Sequence, residues 1–324
     1  MLTFLAPFRL GTRSILAVSF LLAFLLCAST LPGQNIAGET ASSPRERILI
    51  NRGWRFRMGD PNGDSTGLIY DVRPEVKDRR NDKQADAMRA EAEKIEATSQ
   101  RVLKPWIFPT GNDFIKDRAS RYVRPEGNPG SDCPYVQKDF DDSSWETVVL
   151  PHDWAIKGPF FKGWDSKVGG GMGRLPSPGI GWYRKKLGIP ASDAGKSIFL
   201  DIGGAMSYAM VWLNGKLVGG WPYGYASWRV DLTPYVVPGG ENQLAIRLDN
   251  PPSSSRWYSG GGIYRNVWLT KTLPVRVGQW GTYLTTREVS AKSAVVDLEV
   301  TIDNDSKIDA VVDVSTRIYA LDAE

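Results

Sequence analysis

Residues 150–156 read LPHDWAI and place the only histidine of the chain, His152, beside an aspartate and a tryptophan, Asp153 and Trp154. A zinc site would need further ligands, and no cysteine, second histidine or acid cluster stands near His152 at ligand spacing. A Ser-His-Asp triad would need a serine on a sharp strand-to-helix turn, and none occurs in that setting. Acid chemistry remains. From Pro151 to Lys271 the carboxylates are Asp153, Asp165, Asp193, Asp201, Asp231, Glu241 and Asp249. Asp193 and Glu241 fall in turns, while Asp201 and Asp231 alternate outward along strands. Asp153 and Asp249 differ, because each ends a strand and precedes an irregular, aromatic-rich loop. They are expected to converge at one rim of the fold.

Two glycine-rich stretches could pass for phosphate cradles, KVGGGMGRLPSPGIGW and SGGGIYR. A cradle must open a helix whose amides face the anion. Pro176 and Pro178 follow the first stretch and a strand follows the second, so both read as loops in which the backbone passes close to a neighbour. The 12 tryptophans exceed ordinary usage. In GWPYGYASW, Trp221, Tyr223, Tyr225 and Trp228 suit either packing between sheets, the plainer account, or stacking on a flat ligand. Trp257 and Tyr258 follow Pro251 and Pro252 on a loop and are better placed for exposure.

The elements that must carry these residues are strands. Segments such as GIGWYRKKLGI, KSIFLDIGG and ENQLAIRLDN alternate with period two, Leu244, Ile246 and Leu248 against Ala245, Arg247 and Asp249, which predicts strands buried on one face. Asn214-Gly215, flanked by apolar residues, predicts a tight hairpin. Many short strands with almost no helix argue for an all-β antiparallel sandwich over residues 45–272. Residues 61–138 interrupt it. Their polar centre, from Asn81 to about Pro105, carries capping and periodicity signals for a solvated helix on the side of the domain. After Pro274 a new set of strands begins, with Val295, Leu298, Val300, Val311, Val312 and Val314 as inner-face candidates. Residues 275–324 are about half an immunoglobulin-like sandwich, so the sequence is expected to be the N-terminal part of something longer.

Residues 1–29 read as a secretory signal peptide outside the fold, with Arg9 and Arg13 ahead of an apolar run from Ile15 to Leu26. That run is too short to span a bilayer, so an exported, secreted or periplasmic protein with no membrane span is expected. Cys27 would leave with the leader, and Cys133 then has no partner for a disulfide. The formal charge of +4 includes both leader arginines, which recommends neither a nucleic-acid nor an anionic-membrane partner. No metal or cofactor is expected.

The runs WETVVLPHDWAIKGPF, GIGWYRKKLGIP, VWLNGKLVGGWPYGYASWRVDLTPYV and LDNPPSSSRWYSGGGIYRNVWLTK occur in one order. With them the chain resembles the N-terminal sugar-binding domain of glycoside hydrolase family 2, most of all its bacterial β-galactosidases. The resemblance implies a jelly roll with a partly helical insertion, then the incomplete immunoglobulin-like sandwich. It also implies a retaining hydrolase whose two catalytic glutamates come from a (β/α)8 barrel that this sequence does not reach. No catalytic residue is therefore expected here, and this portion alone should be inactive. By the same resemblance Asp153 reaches the barrel's pocket and binds the outermost sugar, and Asp249, Asn250, Arg256, Trp257 and Tyr258 match a second, looser contribution. The implied ligand is a terminal β-linked sugar, a galactoside before others. A free-standing carbohydrate-binding module or an adhesion sandwich is the alternative.

Overall fold

The computed structural model describes residues 7–10, 13–23, 44–61, 68, 104–107, 112, 115, 117–160, 175–251 and 260–316. Fifteen strands are placed: β1 (Pro7–Leu10), β2 (Arg13–Ala23), β3 (Arg45–Leu49), β4 (Trp54–Met58), β5 (Glu146–Val148), β6 (Gly179–Ile189), β7 (Ser197–Ile202), β8 (Ala209–Leu213), β9 (Lys216–Trp221), β10 (Trp228–Asp231), β11 (Gly240–Asn250), β12 (Val267–Thr272), β13 (Val275–Arg287), β14 (Ser293–Asn304) and β15 (Ala310–Asp313). They fall into two compact units. The larger holds Arg47–Ala194 with Ile198–Lys271, and the smaller holds Met1–Glu46, Gly195–Ser197 and Thr272–Glu324.

In the larger unit a six-stranded sheet, β5-β4-β6-β11-β8-β9, faces a four-stranded sheet, β10-β7-β12-β3. The alternating residues of both meet in one apolar cluster that includes Tyr183, Leu187, Ile198, Leu200, Val211, Leu244, Ile246, Leu248 and Val267. This is the expected all-β sandwich. β6 and β11 pair antiparallel along their full length, from Gly240 opposite Ile189 to Asn250 opposite Gly179. Asn214 and Gly215 join β8 to β9 at φ of 52° and 76°, the left-handed pair that a two-residue hairpin turn requires.

The opposite face of the six-stranded sheet departs from expectation. Ala245 and Arg247 have no exposure and Asp249 only 3%, so the alternation in β11 does not separate a wet face from a dry one. A second apolar layer covers it. Trp182, Met210, Trp212, Leu217 and Ala245 pack there against Leu68, Ile107, Cys133, Tyr135, Val136 and Trp145. Trp182 and Trp212 stack with centroids 5.6 Å apart, and the Tyr135 ring meets Trp182 edge-on at 5.5 Å. The 61–138 segment, read from sequence as an appendage, thus supplies part of a third layer. The stretch expected to be its solvated helix lies outside the described residues, apart from a single helical turn at Lys104–Ile107.

Two arginines on that covered face are fully buried, which is tolerable only if every donor finds an acceptor. Arg247 donates from Nε and Nη2 to the two oxygens of Asp60 at 2.9 and 2.8 Å, and from Nη1 to the Leu68 carbonyl at 3.2 Å. Trp182 Nε1 donates to the same Asp60 at 2.6 Å. Arg184 donates to Asp142 Oδ2 at 2.7 Å and to the carbonyls of Tyr135, Gln137 and Phe140. The guanidinium groups therefore tie the outer layer to the sheet. Two other acids stand where the sequence put them but are buried. Asp193 does sit in a turn but is buried against Lys271 at 2.6 Å. Asp201 is also buried, held by Arg229 at 2.5 Å and by the Thr270 hydroxyl at 2.6 Å.

The smaller unit has a three-stranded sheet, β13-β14-β2, and a pair, β1-β15. Val300 and Ile302 form its small core with Val275, Leu298, Val312 and Val314, whereas Val311 is 68% exposed rather than inward. The segment read as a leader outside the fold meets a different arrangement here. β2 pairs with β14 from Ser293 opposite Ala23 to Asp303 opposite Arg13. An extended apolar stretch satisfies the edge amides and carbonyls that β14 would otherwise present.

The buried arginines give a direct test. Asp60→Ala leaves Arg247 buried without its two-point carboxylate partner and should cost about 3–5 kcal/mol. Glu241→Ala, which removes the exposed pair with Lys186, should change stability by less than about 1 kcal/mol. Urea denaturation of the two variants beside the wild-type chain measures both.

Candidate functional site

The backbone between Pro151 and Ala155 leaves β5 and runs against residues 261–263. The N–H of His152 donates to the Ile263 carbonyl at 2.8 Å, and that of Trp154 to Gly261 at 2.9 Å. This short antiparallel contact places three consecutive side chains in different surroundings.

His152 is buried and its Nδ1 lies 2.8 Å from the Tyr183 hydroxyl. Its Nε2 has no hydrogen-bond partner among the described residues, and no described group of His, Cys, Asp or Glu could hold a metal ion. Burial, followed by the nearby Lys157 charge, pulls the imidazole below its usual range against weaker support from Glu146 and Asp153. It is a neutral packing residue in a hydrogen bond. Trp154 fills a slot between two glycines, since a Cβ on Gly181 or Gly261 would fall 2.5 and 2.3 Å from its ring. Its indole N–H donates to the Ser177 carbonyl at 3.1 Å, and Phe56 stacks on it with centroids 6.0 Å apart.

Asp153 is 7% exposed. Its Oδ1 accepts the N–H of Ala155 at 2.8 Å and that of Gly261 at 3.0 Å. The first contact is a local turn bond, and the second crosses to the loop before β12. The carboxylate is therefore an internal brace as well as a rim residue.

The end of β11 reaches the same place. Asn250, 3% exposed, donates from Nδ2 to the carbonyls of Ser177 at 2.8 Å and Gly260 at 2.9 Å. Ser207 Oγ donates to the Asp249 carbonyl at 3.1 Å, adding the loop before β8. Asp153 and Asn250 thus anchor adjacent residues, Gly261 and Gly260, and the convergence expected for the two strand ends is present. The Asp249 side chain takes the other direction. Its carboxylate lies on the covered face, with Oδ2 3.8 Å from Arg247 Nη1. Arg256, Trp257 and Tyr258, and with them Asp165, lie outside the described residues.

Sequence reasoning missed Ser177 and Gly260, which contribute through backbone carbonyls that every residue type carries, and Ser207, which contributes its hydroxyl. Gly261 carried a signal, because a run of three glycines before a strand marks a place where a side chain would collide. The four aromatics of GWPYGYASW divide: Trp228 is buried, Trp221 is half-buried on the core, Tyr225 is half-buried, and Tyr223 is 58% exposed.

The histidine supplies a pH test. Its folded pKa lies below the unfolded value, so the unfolded chain binds the proton more readily and stability is lost as pH falls through the usual value of 6.5. His152→Gln should lose less stability than wild type between pH 8 and pH 5.5, measured as urea midpoints. Being the sole histidine, its ring signals report the folded titration directly by NMR.

Comparison with known proteins places this geometry. Residues 181–259 match the family description glycosyl hydrolase 2 galactose-binding domain-like. The chain is 47% identical over 178 residues to the β-galactosidase BoGH2A of Bacteroides ovatus, covering 55% of this chain and 21% of that protein. It is 30% identical over 188 residues to a β-glucuronidase of Formosa agariphila, covering 51% and 19%. The chain thus spans about a fifth of the length of these curated relatives. Among solved structures, a β-glycosidase from Bacteroides vulgatus superposes with a TM-score of 0.53 at 25% identity, covering 81% of this chain and 25% of that one. A family 2 β-glucuronidase gives a TM-score of 0.55 at 19% identity over 85% and 25%, a likeness of fold alone. By its sequence and its sandwich together, this chain is similar to members of glycoside hydrolase family 2, and residues 181–259 match that family's galactose-binding-like domain.

Proposed function

We propose that this chain is the non-catalytic sugar-recognition end of an exported, retaining glycoside hydrolase of β-galactosidase type, and that its rim completes the substrate pocket of a (β/α)8 barrel. The observation that carries the reading is the meeting of Asp153 and Asn250 on the backbone of Gly260 and Gly261. Two strand ends far apart in sequence fasten one loop, and that loop is the one bearing Arg256, Trp257 and Tyr258. Binding sites are commonly built this way, with loops positioned by a rigid framework.

Asp153 is suited to the task by its restraint. With Oδ1 fixed by two N–H donors, the carboxylate is held in a single orientation, so little side-chain freedom remains to be lost when a sugar hydroxyl donates to it. A hydroxyl bound to an ionised acceptor makes the stronger, charge-assisted kind of bond. Asn250, Arg256, Trp257 and Tyr258 form the second contribution, with aromatic side chains of the kind that suits the apolar side of a pyranose, whereas the Asp249 carboxylate is turned toward Arg247. Bond cleavage belongs to the barrel's own carboxyl pair, which retention requires at a spacing of about 5–5.5 Å. The preference for a β-galactoside is supported by the identity to the Bacteroides ovatus enzyme.

Asp153→Asn separates charge from scaffold, because the amide oxygen still accepts both N–H donors. In the intact hydrolase this variant should lower kcat/KM for an aryl β-galactoside about 10- to 100-fold, the scale of one charge-assisted bond, while its thermal midpoint stays close to wild type. An unchanged kcat/KM would remove the basis of the proposal. The chain of 324 residues by itself should release no sugar from the same substrate.

A further inference from the structure

The rim holds a second set of side chains that the preceding role does not use. Pro222 accepts the N–H of Tyr208, and Tyr264 Oη donates to the Gly224 carbonyl at 2.8 Å, so the loop after β9 is joined to the loops before β8 and β12. Tyr223 and Tyr225 meet edge to face with centroids 5.6 Å apart. Tyr264 is half-buried, and its hydroxyl bond falls on Gly224, the residue between them. Its ring rests on Gly204, where a Cβ would stand 2.8 Å from Cζ, and Gly224 packs as closely on Met206, where a Cβ would stand 2.3 Å from the sulfur. The aromatic group is therefore set by backbone on two sides.

Arg265 follows. Its guanidinium lies 5.5 Å from the centroid of the Tyr264 ring, the side chain is exposed, and no carboxylate among the described residues is within ion-pair distance of it. The carboxylates of this end are committed elsewhere, Asp153 to backbone N–H groups and Asp249 toward Arg247. A group of tyrosines, one of them 58% exposed, beside a planar cation that has no carboxylate partner among the described residues suits one kind of occupant. A pyranose presents an apolar C–H face that stacks on an aryl ring, and a carboxylate on that ring would meet the guanidinium in a two-point contact.

We propose that Tyr223, Tyr225, Tyr264 and Arg265 form a ring-stacking site for a carboxylate-bearing sugar residue of an oligosaccharide ligand. The class of ligand rests on the carbohydrate reading above, while the site itself is independent of Asp153. It gives this face a preference for acidic over neutral glycans and a sensitivity to salt.

Calorimetric titration of the purified chain with methyl β-galacturonide and methyl β-galactoside tests this. The acid should bind about fivefold more tightly at low salt, the scale of one partly screened ion pair, and the ratio should fall to about one at high salt. Arg265→Gln should abolish the ratio while retaining affinity for the neutral sugar. The double variant Tyr223→Ala, Tyr225→Ala should weaken both sugars about tenfold, with an unchanged near-ultraviolet dichroism of the buried tryptophans certifying the fold. Equal affinities for the two sugars, or no binding of either, overturn the inference. So does binding that survives the tyrosine and arginine variants but is lost in Asp153→Asn, a result that would leave the proposed function standing.

Discussion

The constraint on which the larger unit depends is that the middle of its six-stranded sheet has no wet side. A sheet with one solvated face can carry charged residues on every second position without cost. Here that second face is closed, and Arg184 and Arg247 lie on it with no exposure. Their retention obliges the 60–68 and 135–142 segments to present carboxylates and carbonyls at fixed positions. The arginines thereby specify how the outer layer sits, because any slip would leave a guanidinium without acceptors in a low-dielectric interior. They are a device of register more than a source of net stability, since a well-packed apolar substitute is often as stable.

Rigidity then passes to the rim by covalent continuity. β6 and β11 carry the arginines on one face, the apolar core on the other, and the rim residues at their ends. Gly179 and Asn250 are directly opposed, so the strand that delivers Ser177 and the strand that delivers Asn250 emerge side by side. Trp154 wedges between Gly181 and Gly261 and holds the third participant, the segment of Asp153, against both. The rim geometry is accordingly a product of core packing.

Much of this was legible in the sequence. Period-two alternation located the strands of the sandwich, Asn214-Gly215 located a hairpin, and the strand ends at Asp153 and Asp249 pointed to a common rim. The third layer was not legible, for a physical reason. Ala245, Arg247 and Asp249 have the composition of a solvent face, and pattern alone cannot tell a charge that is hydrated from one that is paired in the interior. The clue lay in the covering segments, where Tyr135 stands inside the insertion read as polar and Phe140 and Trp145 follow just after it. The direction of the Asp249 side chain was hidden by the same ambiguity. The leader was read from its chemistry as a passenger, yet an extended apolar run also serves as an edge strand, and hydrophobicity does not distinguish the two.

One clamp has a wider meaning. Asn250 Nδ2 bridges to the Gly260 carbonyl at 2.9 Å, so residues ten positions apart are tied at the neck of the segment between them. The entropy of closing that segment is met by the scaffold, and adding or deleting residues inside the neck changes the closure term only slowly with length. Such a neck lets the intervening sequence be exchanged without disturbing the sandwich beneath. A common framework can in this way accept changes of sequence between the two tied residues at little cost to its own packing.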